Sequence, residues 1–203
     1  MQFIDLLNQR SSYYDYDADE IITPAIIEAL VAEAIKAPSA YHMQNWYFIA
    51  VTSKEAKQKL YDVAYQQEKI KKAAVTFIVC GDIDGYQHLE AALQPSIHAG
   101  HFPQVLANSS ISNAHNSHAT NLPLQRDEAI RSASLASMVL MLAAENMGYA
   151  TGAMSGFEPD KLQATFNLAP TRVPVMLITV GSPTSPRYPQ KQRLPVTKKL
   201  CII

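Results

Sequence analysis

Apolar side chains recur at helical spacing near the start of the chain. Their i, i+3, i+4 pattern predicts a helix over 3–9, followed by a polar, tyrosine-rich stretch over 11–16 that we expect to be a loop. Thr23 is a typical N-cap residue and Pro24 a typical first-turn residue, so a second helix should begin there. Pro38 must end it, because proline cannot continue a helix.

Three runs rich in β-branched and aromatic residues predict strands over 46–52, 75–80 and 173–180. The last run is almost continuously apolar, which is typical of a central strand. Ser53 is a good N-cap for a charged amphipathic helix that continues to about Ala64. The first half of the chain therefore mixes helices with strands.

The stretch between Arg131 and Glu145 contains 13 residues without a charge. Because a helix needs about 20 apolar residues to span a bilayer, this stretch predicts a helix buried in protein. Gly148 should end that helix, and Pro159 should open a short one that continues to Phe166. A further strand is expected between those two helices.

Two segments lack a clear period. Over 84–124 the periodicity dissolves, and 107–121 is mostly Ser, Asn, His and Ala, so we expect a mobile lid or insertion there. Beyond Gly181 the chain is rich in proline up to Pro195. The C-terminal segment 182–203 should therefore be an extended arm that lies over another surface.

The order of these elements predicts the fold class. Helices and strands mix without the regular alternation of a Rossmann or TIM array, which favours an α+β fold. The length of 203 residues and the apolar content of 48% fit one domain over 1–203 with a buried core.

Composition excludes several functions. With 17 basic and 18 acidic side chains, the protein has no basic field for nucleic acid. Cys80 and Cys201 form no disulfide framework, and the N-terminus has no apolar run after a basic segment, so we expect a cytoplasmic protein. No lipid-anchor motif or membrane partner is indicated.

No glycine-rich phosphate loop is present in the sequence. Both G-x-G-x-x-G after a strand and G-x-x-x-x-G-K-[ST] are missing, so a bound phosphate would need side chains. The candidates are the basic residues outside clear helical faces, namely Arg10, Lys69, Arg172, Arg187, Lys191 and Arg193. In proteins generally, most basic residues of this kind are ordinary solvated surface charges.

Histidines concentrate in the 84–124 segment, which holds five of the six, including two His-x-x-His pairs. On a helix this spacing could bind zinc or copper. No cysteine and few acids accompany them, so we favour no metal site. No serine, cysteine or histidine lies in a recognised nucleophile motif, and hydrolase chemistry has no support.

Five short motifs follow one another along the whole chain. They are Arg10-Ser11-Ser12, Ala37-Pro38-Ser39-Ala40, Gln44 with Trp46, Asn146 through Phe157, and Lys191 with Arg193-Leu194-Pro195. Together they resemble the nitroreductase family of FMN-dependent oxidoreductases. The resemblance implies a mixed sheet flanked by helices and a domain-swapped homodimer, with non-covalent FMN at the subunit interface and C-terminal arms that embrace the partner.

The resemblance also implies which residues hold FMN. The basic residues near the two chain ends, with Ser12, look like the phosphate and ribityl contacts. The 38–42 segment looks like the part that reaches the flavin from the other subunit, and the 154–156 turn like the one whose backbone N–H faces the ring. Gln66 and Lys69 match the pyrimidine side, with Gln67 as the alternative. The full set is Arg10, Ser11, Ser12, Tyr14, Pro38, Ser39, Ala40, His42, Gln66, Lys69, Met154, Ser155, Gly156, Lys191 and Arg193.

Three positions depart from the family pattern. Tyr14 stands where the family usually has a second basic residue, so one cationic contact is lost or replaced by a phenol. Asn45 replaces the usual proline before Trp46, and His42 replaces an asparagine. The 84–124 segment matches no family pattern.

The function implied by the resemblance is hydride transfer from NAD(P)H through flavin N5 to a small acceptor such as a nitroaromatic or a quinone, with ping-pong kinetics. The flavin would carry the chemistry, so no catalytic acid or base is named. The alternative is a non-catalytic flavin-binding or metal-responsive dimer that acts as a sensor or store.

Overall fold

The computed structural model describes residues 2–186 and 188–203. Four strands form its sheet, in the order β1-β2-β4-β3, and every pair is antiparallel. The strands are β1 Trp46–Val51, β2 Val75–Asp82, β3 Ala150–Met154 and β4 Arg172–Gly181. The expected mixed sheet is therefore wrong for these strands, because the parallel pairing seen is a single bridge between Ser12 and Thr151.

Eight α-helices surround this sheet in the described part of the chain. They are α1 Phe3–Gln9, α2 Pro24–Ala34, α3 Lys54–Val63, α4 Lys69–Lys72, α5 Leu89–His98, α6 Gln104–His118, α7 Leu122–Asn146 and α8 Pro159–Thr165. The predicted caps are confirmed: Thr23 Oγ1 accepts from the Ile26 N–H at 3.4 Å and Ser53 Oγ from the Ala56 N–H at 3.1 Å. Gly148 follows α7 with φ of 91°, as its place after a helix end requires.

The core forms where α7 crosses the sheet. β2 is buried at all eight positions, which explains its continuous apolar sequence. α7 and α2 cover this face, and Leu30, Phe77 and Leu140 are fully buried between them. Within the described residues, no helix is both long and apolar enough to cross a membrane.

The 84–124 segment is helical, so the expectation that it lacks structure is wrong. α5 and α6 pack together through Leu89, Leu93, Ala107 and Ala114, and Met43 joins them from the turn after α2. The buried face of α6 is carried by alanines, and their small apolar surface hides the helical period in the sequence. A lid function for this segment stays a prediction.

The C-terminal arm has one helical element in its described part, a short 3₁₀ turn at Val196–Lys198. Gln190 ties it to the N-terminal helix, because its Nε2 donates to the carbonyl oxygens of Leu7 at 2.6 Å and Arg10 at 2.5 Å. Its last apolar side chains are exposed, namely Leu194, Val196, Leu200, Ile202 and Ile203. Domain swapping stays a prediction.

Candidate functional site

A cavity of about 720 Å³ lies between the N-terminal segment and the C-terminal arm. We call it the cationic cavity, since basic side chains from both ends of the chain reach it. Its lining residues are Arg10, Ser11, Ser12, Tyr14, Asp15, Ser185, Tyr188, Pro189, Gln190, Lys191 and Arg193. The arm and the segment 10–15 thus border a space of the size that is usual for small-molecule sites, about 300–1,000 Å³.

Two buried tyrosines fix the N-terminal wall of the cavity. Tyr13 and Tyr16 are buried, at 3% and 2% exposure, whereas Ser12 and Tyr14 line the cavity. The Tyr13 N–H donates to the Thr151 carbonyl at 2.9 Å, which ties this wall to β3. The predicted loop is therefore an extended segment fastened to the sheet edge.

A buried hydroxyl pair lies behind that wall. The Tyr16 hydroxyl is 2.8 Å from Thr179 Oγ1, and Thr179 Oγ1 donates in turn to the Gly152 carbonyl at 3.0 Å. Burial is the main cause that raises the pKa of the Tyr16 phenol, which stays neutral as a result. This network holds the segment 12–16 in one position relative to β3 and β4.

The charge balance of the cavity favours an anion. None of Arg10, Lys191 and Arg193 forms an ion pair with a carboxylate among the described residues. Asp15 is already engaged, because it accepts from Lys72 Nζ at 2.7 Å and from Thr184 Oγ1 at 3.1 Å, and these bonds hold the pKa of its carboxyl below its ordinary value.

Two further polar groups of the cavity suit an anionic ligand. Ser11 Oγ is buried and has no hydrogen-bond partner in the described part of the chain. Arg193 Nη1 donates to the Lys191 carbonyl at 2.6 Å, which orients the guanidinium within the arm. An anion with several oxygens would provide acceptors for such donors.

The turn after β3 is reached by Gln67 and not by Gln66. Gln67 Nε2 donates to the Gly156 carbonyl at 2.8 Å, while Gln66 is exposed and has φ of 54°. Met154 is buried at the end of β3, and Ser155 is exposed after it. Of the two glutamines considered, Gln67 is the one that contacts the glycine turn.

The 38–42 segment lies outside the lining of the cationic cavity. Ser39 Oγ accepts from the Gln44 N–H at 2.9 Å, and Gln44 Nε2 is 3.0 Å from His42 Nε2. His42 lines a second cavity of about 360 Å³, together with residues of α5, α6 and their connection. One chain therefore presents the predicted residues in separate places. His42 lines this second cavity, with Pro38, Ser39 and Ala40 just before it in the chain, and a further set lines neither cavity: Gln66, Lys69, Met154, Ser155 and Gly156.

Some basic candidates serve the fold. Arg172 pairs with Asp82 at 3.2 Å and lies over the Tyr47 ring at 4.2 Å, so it links β4 to β2 and β1. Arg187 lies outside the described residues. Asn45, which replaces the family's proline, is buried and donates through Nδ2 to the Asp82 carbonyl at 3.4 Å.

The histidine pairs form no metal centre in the described chain, where no three His, Cys, Asp or Glu side chains lie close enough together to hold an ion. His118 is buried, and its Nδ1 is 2.9 Å from the Ala114 carbonyl. Its ring stacks on Tyr86 with centroids 5.8 Å apart. These contacts belong to the packing of α6.

Sequence reasoning missed part of the cavity wall. Asp15, Tyr188 and Gln190 line it, although only their neighbours in the sequence were candidates. Gln190 adjoins Lys191, but its bonds to the carbonyls of Leu7 and Arg10 depend on how the arm folds back. No local pattern carries that information.

Comparisons with known proteins show the family and the fold of the chain. A sequence profile described as the nitroreductase family matches residues 7–182. YodC of Bacillus subtilis, a candidate NAD(P)H nitroreductase by name, is 32% identical over 195 residues, which cover 96% of each chain. A candidate nitroreductase from Exiguobacterium sibiricum, solved in complex with FMN, superposes with a TM-score of 0.93 at 27% identity, covering 100% of this chain and 98% of that one. The CLA biosynthesis enone reductase of Lactiplantibacillus plantarum is 27% identical over 188 residues, which cover 87% of this chain and 83% of its own.

Proposed function

Because the chain belongs to the nitroreductase family of oxidoreductase enzymes, we propose that it binds FMN and passes hydride from NADH or NADPH to a small organic acceptor. The observation that carries the proposal is the cationic cavity, where Arg10 and Arg193 meet from opposite ends of the chain. A similar solved structure contains FMN, and the basic lining of this cavity supports the same ligand here.

The residues of the cavity fit an FMN phosphate. Arg10, Lys191 and Arg193 supply three positive charges without carboxylate partners among the described residues, and guanidinium groups bind phosphate oxygens in pairs. Ser11 Oγ and Ser12 stand beside them. This arrangement replaces the glycine-rich cradle that the sequence lacks.

FMN, when bound, supplies the hydride chemistry. The chain supplies position and charge: the cavity binds the phosphate, and a backbone N–H of Ser155 or Gly156 would be directed at the ring. Gln67 steadies this turn through the Gly156 carbonyl. If the nicotinamide and the oxidant bind in turn at one shared site, ping-pong kinetics are expected. Initial-rate measurements at several concentrations of both substrates would test this.

The acceptor is proposed to be a nitroaromatic or a quinone. Because a similar protein is named as an enone reductase, a panel of acceptors should include an α,β-unsaturated ketone. The ranking of kcat/KM over this panel would identify the preferred class.

We further propose that the active unit is a homodimer. The residues of the 38–42 segment lie outside the cationic cavity of their own chain, although the resemblance implies that they touch the same flavin. A second copy would bring them together. Leu135 and Met138 of α7 are exposed, as are the apolar side chains of the arm, and such surfaces suit burial between subunits.

A mixing experiment tests the shared site. An Arg193→Ala chain and a His42→Ala chain should each bind FMN poorly as homodimers. When both are refolded together, heterodimers contain one intact site, so about one quarter of all sites should regain normal affinity. No recovery would show that both residues act in the same chain or that His42 is not a ligand.

The direct test of the function is spectroscopic. FMN added to purified cofactor-free protein should lose fluorescence, and the complex should oxidise NADH or NADPH when an acceptor is present. Absence of quenching would refute the cofactor assignment. Quenching without turnover would favour the non-catalytic flavin-binding alternative.

A further inference from the structure

Lys69 is a buried cation without a carboxylate partner among the described residues. Only 8% of it is exposed, and burial lowers the pKa of its ammonium. Its neighbours on α4 do pair with acids: Lys71 lies 4.0 Å from Glu68 and Lys72 lies 2.7 Å from Asp15. Lys69 is therefore held differently from the other lysines of its helix.

An aromatic ring accompanies Lys69 in place of an acid. Its Nζ lies 5.0 Å from the centroid of the Tyr14 ring, within the range of a cation–π contact. Tyr14 is 59% exposed and lines the cationic cavity. One ring therefore contacts both the buried ammonium and the space that a ligand would occupy.

The choice of an aromatic ring has an electrostatic consequence. A carboxylate beside Lys69 would neutralise its charge, whereas a second lysine or arginine would repel it. A phenol ring attracts the ammonium through its quadrupole and adds no net charge. The cation is thus fixed in place while its full charge remains available to a ligand.

The position of α4 indicates which part of a ligand that charge meets. Gln67, two residues before Lys69, donates to the Gly156 carbonyl at the turn after β3. The phosphate candidates Arg10, Lys191 and Arg193 line the cavity, but Lys69 does not. Since the flavin ring is proposed to face the 154–156 turn, the closeness of Lys69 to Gln67 in the chain favours the ring end of the site for its charge.

We propose that Tyr14 is a positioning residue that holds the Lys69 ammonium beside the pyrimidine edge of the bound flavin, where negative charge develops on reduction. This inference rests on the proposed function. It gives a role to the position at which the chain departs from its family: the ring keeps one lysine in place where the family usually has a second cation.

The test compares the affinity of the protein for oxidised and reduced FMN. Tyr14→Leu and Lys69→Met should each weaken the binding of reduced FMN, relative to that of oxidised FMN, by on the order of tenfold. This change is measured as a more negative midpoint potential of the bound flavin. Tyr14→Phe keeps the ring and should remain within about twofold of the parent. The double variant should shift no further than Lys69→Met alone, because both changes remove the same interaction.

The chain offers a matched control. Tyr61 lies under Lys71, with Nζ 3.4 Å from its ring centroid, outside the lining of the cationic cavity. Tyr61→Leu removes a comparable ring from a lysine and should leave the midpoint potential of bound FMN unchanged. An equal shift in this variant would overturn the assignment to Tyr14.

A second measurement needs no cofactor. Acetylation of individual lysines in the cofactor-free protein, read by peptide mass spectrometry, should be slow at Lys69 in the parent and in Tyr14→Phe and severalfold faster in Tyr14→Leu. Unchanged Lys69 reactivity in Tyr14→Leu would overturn the proposal. Failure of the parent protein to bind FMN would refute the proposed function instead, so the two failures are distinguishable.

Discussion

Gly152 lies where β3 passes directly behind the segment 10–15. A Cβ at this position would stand 2.6 Å from the Tyr13 carbonyl oxygen, 2.7 Å from Thr179 Oγ1 and 2.9 Å from the Tyr16 hydroxyl. Even close C···O contacts in proteins are about 3.3 Å or longer. Gly152→Ala must therefore push the N-terminal wall of the cationic cavity away from the sheet.

The expected loss of stability has two parts. Overpacking of a tightly packed site costs about 1–3 kcal/mol, and the Tyr13 carbonyl is a poor group to displace because it belongs to the backbone. Separation of the buried Tyr16 and Thr179 hydroxyls adds about 1 kcal/mol. The sum is about 2–4 kcal/mol, which corresponds to a fall in Tm of roughly 5–15 °C for a chain of this size.

Urea unfolding of the cofactor-free protein measures this loss directly, and FMN titration measures the displacement of Ser12 and Tyr14. Tyr16→Phe is the control, since it removes the hydroxyl without adding volume and should cost only about 1 kcal/mol. FMN should bind more weakly to Gly152→Ala than to Tyr16→Phe. If the free energy of unfolding of Gly152→Ala lies within about 0.5 kcal/mol of that of the parent, and the variant binds FMN normally, the prediction from the close contacts of Gly152 is refuted.

Three further predictions concern single side chains. Arg193→Ala should weaken FMN binding by about 1.5–3 kcal/mol through loss of a charge-assisted contact, and an unchanged Kd in a fluorescence titration would show that the residue is misassigned. Arg172→Met should leave FMN affinity unchanged but lower the free energy of unfolding by about 1–3 kcal/mol, because it strands the largely buried Asp82; urea unfolding with no loss would contradict this. Burial raises the pKa of the Cys80 thiol from 9.0 to about 11. As the pH rises, the thiol loses its proton at a lower pH in the unfolded chain than in the folded protein. The free energy of unfolding should therefore fall by up to about 2.7 kcal/mol between pH 9 and pH 11, and Cys80→Ala should lack this fall.

Local signals account for the elements that the sequence predicts well. The N-caps at Thr23 and Ser53 act through hydrogen bonds within one turn of the helix they start, and Pro24 acts through its fixed φ, so α2 and α3 begin as expected. The run 173–180 is confirmed as a central strand, since β4 lies between β2 and β3. Each of these features depends on neighbours in the sequence.

Elements stabilised by distant contacts were missed. α6 buries mainly Ala107, Ala114 and His118, and their partners Tyr86 and Met43 lie outside that helix. The helix is therefore specified by tertiary packing, while its Ser and Asn content resembles a loop. The antiparallel sheet order likewise depends on pairings between strands that are far apart in the sequence.

The candidate site divides in the same way. Resemblance to a family supplied Arg10 and Arg193 as positions, but not the environment of either. In the sequence Tyr14 is a lost cation, and only the fold brings it to Lys69, which lies 55 positions away on a helix that the sequence does not predict. The departure from the family pattern at Tyr14 is thus accompanied by a contact with Lys69 that no local pattern reveals.

The use of side chains in place of a glycine loop has a consequence for the arm. Arg10, Lys191 and Arg193 repel one another when they share one cavity, and the bonds from Gln190 to the carbonyls of Leu7 and Arg10 must hold the arm against that repulsion. A phosphate among the three cations turns the repulsion into attraction. Docking of the arm and binding of the anion therefore favour each other, because each lowers the free energy of the state that the other needs. The two ends of the chain are then joined through the ligand. Loss of either arginine should weaken the binding of the anion and the attachment of the arm in the anion-bound protein, whereas in the anion-free protein it should relieve the repulsion on the arm.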